Sequence, residues 1–402
     1  ELARRVGAEL ELSGIAVRNV SAKRDADLPS ELFTEDAESL IIGSDIVIEL
    51  IGGIEPAKSW ITLALQSGAD VVTANKALIA AHGSELLGLA QQLGAQLYYE
   101  AAVGGAIPII RPLRESLAGD RINRVMGIVN GTTNYILDQM ESTGADFADA
   151  LKEAQDLGYA EADPTADVEA YDAASKAAIL ASLAFHSEVP VEQVYREGIT
   201  SVSAMQIETA RDAGYSVKLL AICERVNDVE SGLVVRVHPT LIPLEHPLAA
   251  VRGAYNAVFV EAESAGQLMF YGAGAGGPET ASAVLGDLVS AAKRHIAGGP
   301  GLSDSTHANL AVLPIQNVRT RFQITLEVQD KPGVLASVAS EFGSHGVSVE
   351  TVTQSAAGAG VAAQLTIMTH SALERDLESL VESLTNNDFV VQVDSVIRVE
   401  GI

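Results

Sequence analysis

The stretch Gly158-Tyr159-Ala160-Glu161-Ala162-Asp163-Pro164-Thr165-Ala166-Asp167, with the segment that follows to about Phe185, decides how the chain reads. Asp163-Pro164-Thr165 is a helix start, because the residue before proline is pushed out of the α region and proline fits the first turn. A helix is predicted over 167–185. On it Asp172 and Lys176 stand four apart, acid before base, so their side chains meet on one face. Val168, Asp172, Lys176, Ile179 and Leu183 follow helical spacing, which puts the charged pair in line with an apolar stripe. Charges on an inward stripe must be paired, and a lysine meeting carboxylates there marks a functional site. A solvated surface pair is the alternative.

This constellation closely resembles the signature of the homoserine dehydrogenases, enzymes that interconvert L-homoserine and L-aspartate 4-semialdehyde with NAD(P). The resemblance implies that Lys176 donates and accepts the proton at the hydroxyl or aldehyde oxygen and that Asp172 orients it. It also implies that Glu161 holds the substrate ammonium, with Tyr159 and Asp167 lining the same pocket. The chemistry agrees: an amino-acid cation wants a carboxylate, and an alkoxide formed by hydride transfer needs a nearby acid.

Upstream, strand and helix signals alternate: strands over 14–20, 45–50, 71–73 and 96–101, helices over 60–67 and 77–93. That order means a parallel sheet covered by helices, with sites at the carboxyl ends of its strands. Gly52 and Gly53 fall at one such end, Thr73, Asn75 and Lys76 at another. Alone these are weak signals, since strand ends commonly carry glycine and polar residues; the family resemblance makes them contacts to a nicotinamide cofactor. The expected G-x-G-x-x-G fingerprint is not among these residues. The chain opens at Glu1-Leu2-Ala3-Arg4-Arg5, residues 1–10 read as the tail of a first helix, and a first βα unit, truncated or unobserved, is expected before them. Arg18, where a ribose-binding acid usually sits, points to a 2′-phosphate and so to NADP rather than NAD, although an exposed arginine is an equal reading.

Glu100 to Pro108 reads as a strand end, a glycine turn and a helix start. From the residues an ordinary turn is favoured; the resemblance implies a monovalent cation, commonly Na+, held by the Glu100 carboxylate and the carbonyls of Val103, Gly105 and Ile107. A strand over 121–129 runs into Asn130-Gly131-Thr132-Thr133, where the amides opening a helix suit a carboxylate; the resemblance makes Gly131 and Thr132 substrate-side contacts. Helices over 147–157 and 167–185 follow, then a mixed α+β segment over 191–263 whose sheet would also build a dimer. His186, His238 and His246 are too scattered for a metal set. Tyr271 to Thr280, with Gly274 and Gly276, is a glycine loop before a helix to about Ile296. A hinge and a nucleotide loop explain it equally, and the resemblance implies both.

After a linker, strands over 321–328, 347–354, 361–369 and 390–399 alternate with helices over 334–344 and 373–384, a ferredoxin-like βαββαβ order. The turn Asp330-Lys331-Pro332-Gly333-Val334 resembles the start of an ACT domain, a regulatory amino-acid sensor. Asp330, Gly333 and Val334 are then effector candidates, threonine being the family's usual inhibitor; a dimerisation module without ligand is the alternative.

The expected fold is thus α/β: a Rossmann-type nucleotide domain (1–107 with 278–300), an α+β substrate and dimerisation domain (108–277), a linker (301–318) and an ACT domain (319–402). A net charge of −27 repels nucleic acid and anionic membranes. No apolar run reaches the roughly 18 residues of a spanning helix, and no secretory signal pattern is found, so the cytoplasm is the expected compartment. The single cysteine, Cys223, lies in an apolar run and reads as an inert thiol. That disfavours a phosphorylating semialdehyde dehydrogenase, which needs a cysteine nucleophile. The expected assembly is a homodimer or homotetramer. Two rival readings are a non-catalytic amino-acid sensor and another amino-acid dehydrogenase of the same architecture.

Overall fold

The computed structural model describes all residues except 25–27, 299–303, 305, 358–361 and 402. It divides into two compact units: residues 1–122, 178–191 and 270–309 form one, and residues 123–177, 192–269 and 310–402 the other.

In the first unit, strands Ile46–Glu49, Asp70–Thr73 and Leu97–Tyr98 form a parallel sheet. Its middle strand is buried throughout, as a strand covered on both faces must be. Val72 and Tyr98 pack against Val284 and Ala291 of helix Gly277–Ala297, so the late helix belongs to this sheet. Helix Lys76–Leu93 begins where the Asn75 side chain accepts the Leu78 amide, and ends at Gly94 in the left-handed conformation. Two expected strands are shorter than the sequence suggests. Only Ile15–Ala16 of 14–20 pairs, with Phe33–Thr34. Strand 96–101 stops at Tyr98, because Glu100–Ala102 turns into a 3₁₀ helix.

The second unit is organised by an 11-stranded sheet whose centre is the antiparallel pair Tyr215–Val226 and Gly232–Pro243. These long strands are almost wholly buried. Strand Val390–Val399 pairs in parallel with Gly232–Pro243 on one side and antiparallel with Arg319–Gln329 on the other. Ala362–Thr369 and Val349–Ala357 extend the sheet from there. The βαββαβ module is therefore hydrogen-bonded into the sheet of the body, and its own core lies between that sheet and helices Val334–Ser344 and Glu374–Thr385.

Two expectations need correction here. Residues 301–303 and 305 of the expected linker lie outside the described residues, as does Val361 of an expected strand. The end of the linker is not loose: Leu313 donates its amide to Leu233, Leu233 donates to Ala311, and Leu313 and Val318 pack on Val234. The helix expected over 167–185 is two helices, Thr165–Val168 and Tyr171–Phe185, separated by Ala170 at φ 64°. A left-handed alanine costs about 1–2 kcal/mol, and nothing in the local sequence announces it.

Charges hold the seam between module and body. Arg236, 1% exposed, donates to Glu400 at 2.5 Å and to Glu224, and Arg124 donates to the same Glu400. Beside them Arg398 donates to Glu374 at 2.6 Å and to Glu197 at 2.8 Å. Burial alone would push the Glu400 carboxyl up, but Arg124 and Arg236 outweigh it and hold the group below its ordinary value. A carboxylate held low in the folded state contributes stability that is present above the unfolded value of about 4.3 and lost as pH falls through the folded one. Glu400→Gln should therefore destabilise the chain at pH 7 by about 3–5 kcal/mol if the arginines are left uncompensated, seen as a lower urea midpoint. It should also flatten the fall in midpoint below about pH 4. A variant with the wild-type pH slope would show that this cluster is not its source.

Candidate active site

Helix Tyr171–Phe185 is buried nearly all round, with only Tyr171 exposed and Ser175 and Ser182 half-buried, so its polar groups must find partners within the protein. Asp172 is 7% and Lys176 8% exposed. The Lys176 Nζ donates to Asp172 Oδ2 at 2.8 Å and to the carbonyl of Val129 at 2.7 Å. Val129 follows strand Ile122–Ile128, and the next residue, Asn130, caps helix Gly131–Thr143 by accepting the Thr133 amide. Strand end, helix start and the acid–base pair thus meet at one point.

Asp167 joins them. The Asn130 amide donates to Asp167 Oδ1 at 2.6 Å and to Asp172 Oδ2 at 2.9 Å. Thr132 donates its hydroxyl to the Tyr159 carbonyl at 2.7 Å, fixing the loop before the short helix, and the half-exposed Tyr159 ring packs on Tyr135. Gly131 lies so close to Ala254 that a Cβ would stand 2.6 Å from its carbonyl oxygen. The Glu161 side chain is exposed, and the described bond of this residue runs through its carbonyl, which accepts from Gln155. Lys176, Asp172 and Asp167 are therefore linked by hydrogen bonds through Asn130; Thr132 and Tyr159 form a second bonded pair, and Glu161 stands on the adjoining loop.

In the nucleotide unit the expected cofactor residues gather at the carboxyl ends of two neighbouring strands. Gly52 and Gly53 both have positive φ, and the amides of Ile51 and Gly52 donate to buried Glu49. Thr73 donates to the other oxygen of Glu49 at 2.6 Å, and the Asn75 amide donates to the Gly53 carbonyl. Thr73 and Asn75 thus shape the glycine turn, while Lys76 and Arg18 are exposed. Gly105 packs on the second glycine loop: a Cβ there would stand 2.5 Å from the carbonyl oxygen of Gly274.

The carboxylate of Glu100 is buried and partnered by the segment that follows it. Its oxygens accept the amides of Ile109, Ile110 and Arg111, the donors of a helical start. Among the described residues no group of three or more His, Cys, Asp or Glu side chains could hold a metal. Cys223 is fully buried, its Sγ against the Ala177 carbonyl, and burial pushes its thiol up to about 12, so it is no nucleophile near neutral pH.

The family model for homoserine dehydrogenase matches residues 108–289, that for the homoserine dehydrogenase NAD-binding domain residues 1–100, and that for the ACT domain residues 322–388. A homoserine dehydrogenase of Corynebacterium glutamicum is 55% identical over all of this chain and 90% of its own length. The chain belongs to the homoserine dehydrogenase family. The crystal structure of a homoserine dehydrogenase from Thiobacillus denitrificans, 39% identical, superposes with a TM-score of 0.92 over 99% of this chain and 92% of that one. A hyperthermophilic archaeal homoserine dehydrogenase in complex with NADPH, 31% identical, matches 66% of this chain and 76% of its own with a TM-score of 0.57. Homoserine dehydrogenases are NAD(P)-dependent oxidoreductases, and here the nucleotide-binding and dehydrogenase regions carry an ACT domain behind them. No helix among the described residues is long and apolar enough to cross a membrane.

Sequence reasoning missed two residues that organise this chain locally: Glu49, which gathers the glycine turn and Thr73, and Asn130. Both are polar residues at strand ends, and no spacing rule distinguishes them from ordinary turn residues. In the folded chain Cys223 should resist iodoacetamide at pH 8 and react only after unfolding. Labelling of the folded chain that tracks with loss of activity would restore a thiol route.

Proposed function

We propose that this chain interconverts L-homoserine and L-aspartate 4-semialdehyde with Lys176 as the proton donor and acceptor at the substrate oxygen. The observation that carries the reading is the buried Lys176–Asp172 pair, tied to a strand end through Val129 and to the turn of the family signature through Asp167. The nicotinamide cofactor supplies or accepts the hydride at the substrate carbon. In the reducing direction Lys176 gives its proton to the developing alkoxide; in the oxidising direction it takes the hydroxyl proton, and Asp172 keeps the amine aimed. We assign Glu161 to the substrate ammonium, the first amides of helix Gly131–Thr143, at Gly131 and Thr132, to its carboxylate, and Tyr159 and Asp167 to the pocket wall.

The cofactor is assigned to Gly52, Gly53, Thr73, Asn75 and Lys76 at the strand ends and to Gly274 and Gly276 on the later loop. The glycine turn fits this role, because nothing lies within 4 Å of where a Cβ of Gly52 or Gly53 would stand. Exposed Arg18 supports NADP over NAD. A sodium ion at the turn 103–107 would rest on the carbonyls of Val103, Gly105 and Ile107, with Glu100 capping the helix that follows. An amino-acid effector, threonine in our reading, is assigned to Asp330, Gly333 and Val334, where Gly333 at φ 91° opens helix Val334–Ser344. A homodimer or homotetramer in the cytoplasm completes the assignment. A non-catalytic sensor would have no use for a buried lysine–aspartate pair.

Homoserine-dependent reduction of NADP+ tests the reading. Lys176→Ala should lower kcat at least about a thousandfold while circular dichroism stays that of the parent, and Glu161→Ala should act mainly by raising the homoserine KM. Full turnover in the lysine variant would sink the assignment.

A further inference from the structure

Asn130 is a buried amide whose orientation is forced. Its Oδ1 accepts from the Thr133 amide at 2.9 Å and the Thr133 hydroxyl at 3.0 Å, which leaves the two hydrogens of Nδ2 for Asp167 at 2.6 Å and Asp172 at 2.9 Å. The reverse orientation would set a carbonyl oxygen against two carboxylates. We propose that Asn130 is a positioning residue that keeps Asp167 and Asp172 together beside Lys176, and so sets the proton-transfer behaviour of the lysine. The inference rests on the role of Lys176 given above.

The geometry around it is built for this purpose. In a continuous helix residues five apart point about 140° away from each other, so Asp167 and Asp172 could not share one amide. The break at Ala170 removes that obstacle at the cost of a left-handed alanine. Two carboxylates brought close repel, and without a shared donor one of them takes up a proton. An amide supplies two donors without adding charge, whereas a cation in its place would compete with Lys176 for Asp172, and a third acid would worsen the repulsion. The charged groups that the described bonds bring to this point are Asp167, Asp172 and Lys176. Of the neighbouring charges, Glu169 is turned to Thr200, and Arg196 to the Glu169 carbonyl and the Tyr171 ring.

Two substitutions keep the helix cap while removing the amide that faces Asp167 and Asp172, since aspartate and serine both cap well. Asn130→Asp and Asn130→Ser, with Lys176→Ala alongside, would be assayed for homoserine oxidation from pH 6 to 10, with urea unfolding of each. In Asn130→Asp, kcat should fall about tenfold or more with the homoserine KM changed less than about threefold, and the pH profile of kcat should depart from the parent's, because the donors that hold Asp167 and Asp172 beside Lys176 are gone. Asn130→Ser should also lose about tenfold in kcat and unfold at a lower urea concentration than the parent, so each variant is assayed well below its own midpoint, which covers the case in which the aspartate variant folds poorly. If both variants fold and keep the parent's kcat and pH profile while Lys176→Ala is inactive, this inference fails and the catalytic role of Lys176 stands. If Lys176→Ala keeps full turnover, the underlying reading fails instead.

Discussion

A lysine ammonium and a carboxylate withdrawn from water cost several kcal/mol each unless their hydrogen-bonding capacity is filled inside the protein. Around Lys176 and Asp172 that requirement draws two segments, the strand-to-helix junction at 129–130 and the broken helix, to one point. The strand end supplies the Val129 carbonyl, the helix cap supplies the Asn130 amide, and the broken helix supplies Asp167. Because none of these can withdraw without stranding a buried charge, the pair acts as the fixed point of the second unit, and the loop with Tyr159 and Glu161 is hung from it through Thr132.

The same rule operates at the seam between body and ACT domain, with a different outcome. Arg236, Arg398, Glu374 and Glu400 are all at least nine-tenths buried, and each charge faces an opposite one. An apolar seam of the same size would be as stable or more so. What ions add is direction: strand Val390–Val399 can take only the register that brings Arg398 to Glu374 and Glu197, and carries Glu400 on to Arg236. Its parallel pairing with Gly232–Pro243 is only two residues long, Arg398 to Thr240 and Val399 to Leu241, so side-chain chemistry fixes what the ladder alone would fix weakly.

Much of this was legible in the sequence, for physical reasons that can be named. The alternating strands and helices of the nucleotide unit, and the βαββαβ order with helix Val334–Ser344 and strand Val390–Val399 at their observed bounds, follow from periodicity. The approach of Asp172 to Lys176 follows from their spacing. What spacing could not show is anything set by tertiary contact. The break at Ala170 is imposed from outside the helix. The Glu100 carboxylate accepts amides nine to eleven residues downstream, a partnership that no spacing rule announces. The linker end is pinned because Gly232 leaves room for Ala311, whose carbonyl oxygen a Cβ would meet at 2.5 Å.

That outside imposition has a visible source. Residues 195–200 run between the broken helix and the ACT seam, and their two sides face different partners. On one side Tyr195 and Glu197 hold Arg398. On the other, Ile199 donates its amide to the Val168 carbonyl, Arg196 donates to the Glu169 carbonyl, and Gly198 sits where a Cβ would stand 2.4 Å from the Val168 oxygen. The carbonyls that a continuing helix would have bonded within itself are thus taken by this segment, which is why the helix stops at Val168 and restarts at Tyr171. The turn that brings Asp167 to Asn130 therefore depends on a strip of chain whose opposite side is gripped by an ACT-domain arginine. Contiguity of this kind carries a signal only where the strip has two arrangements that an effector binds unequally. As it stands, the ACT domain is part of the scaffold that shapes the turn carrying Asp167.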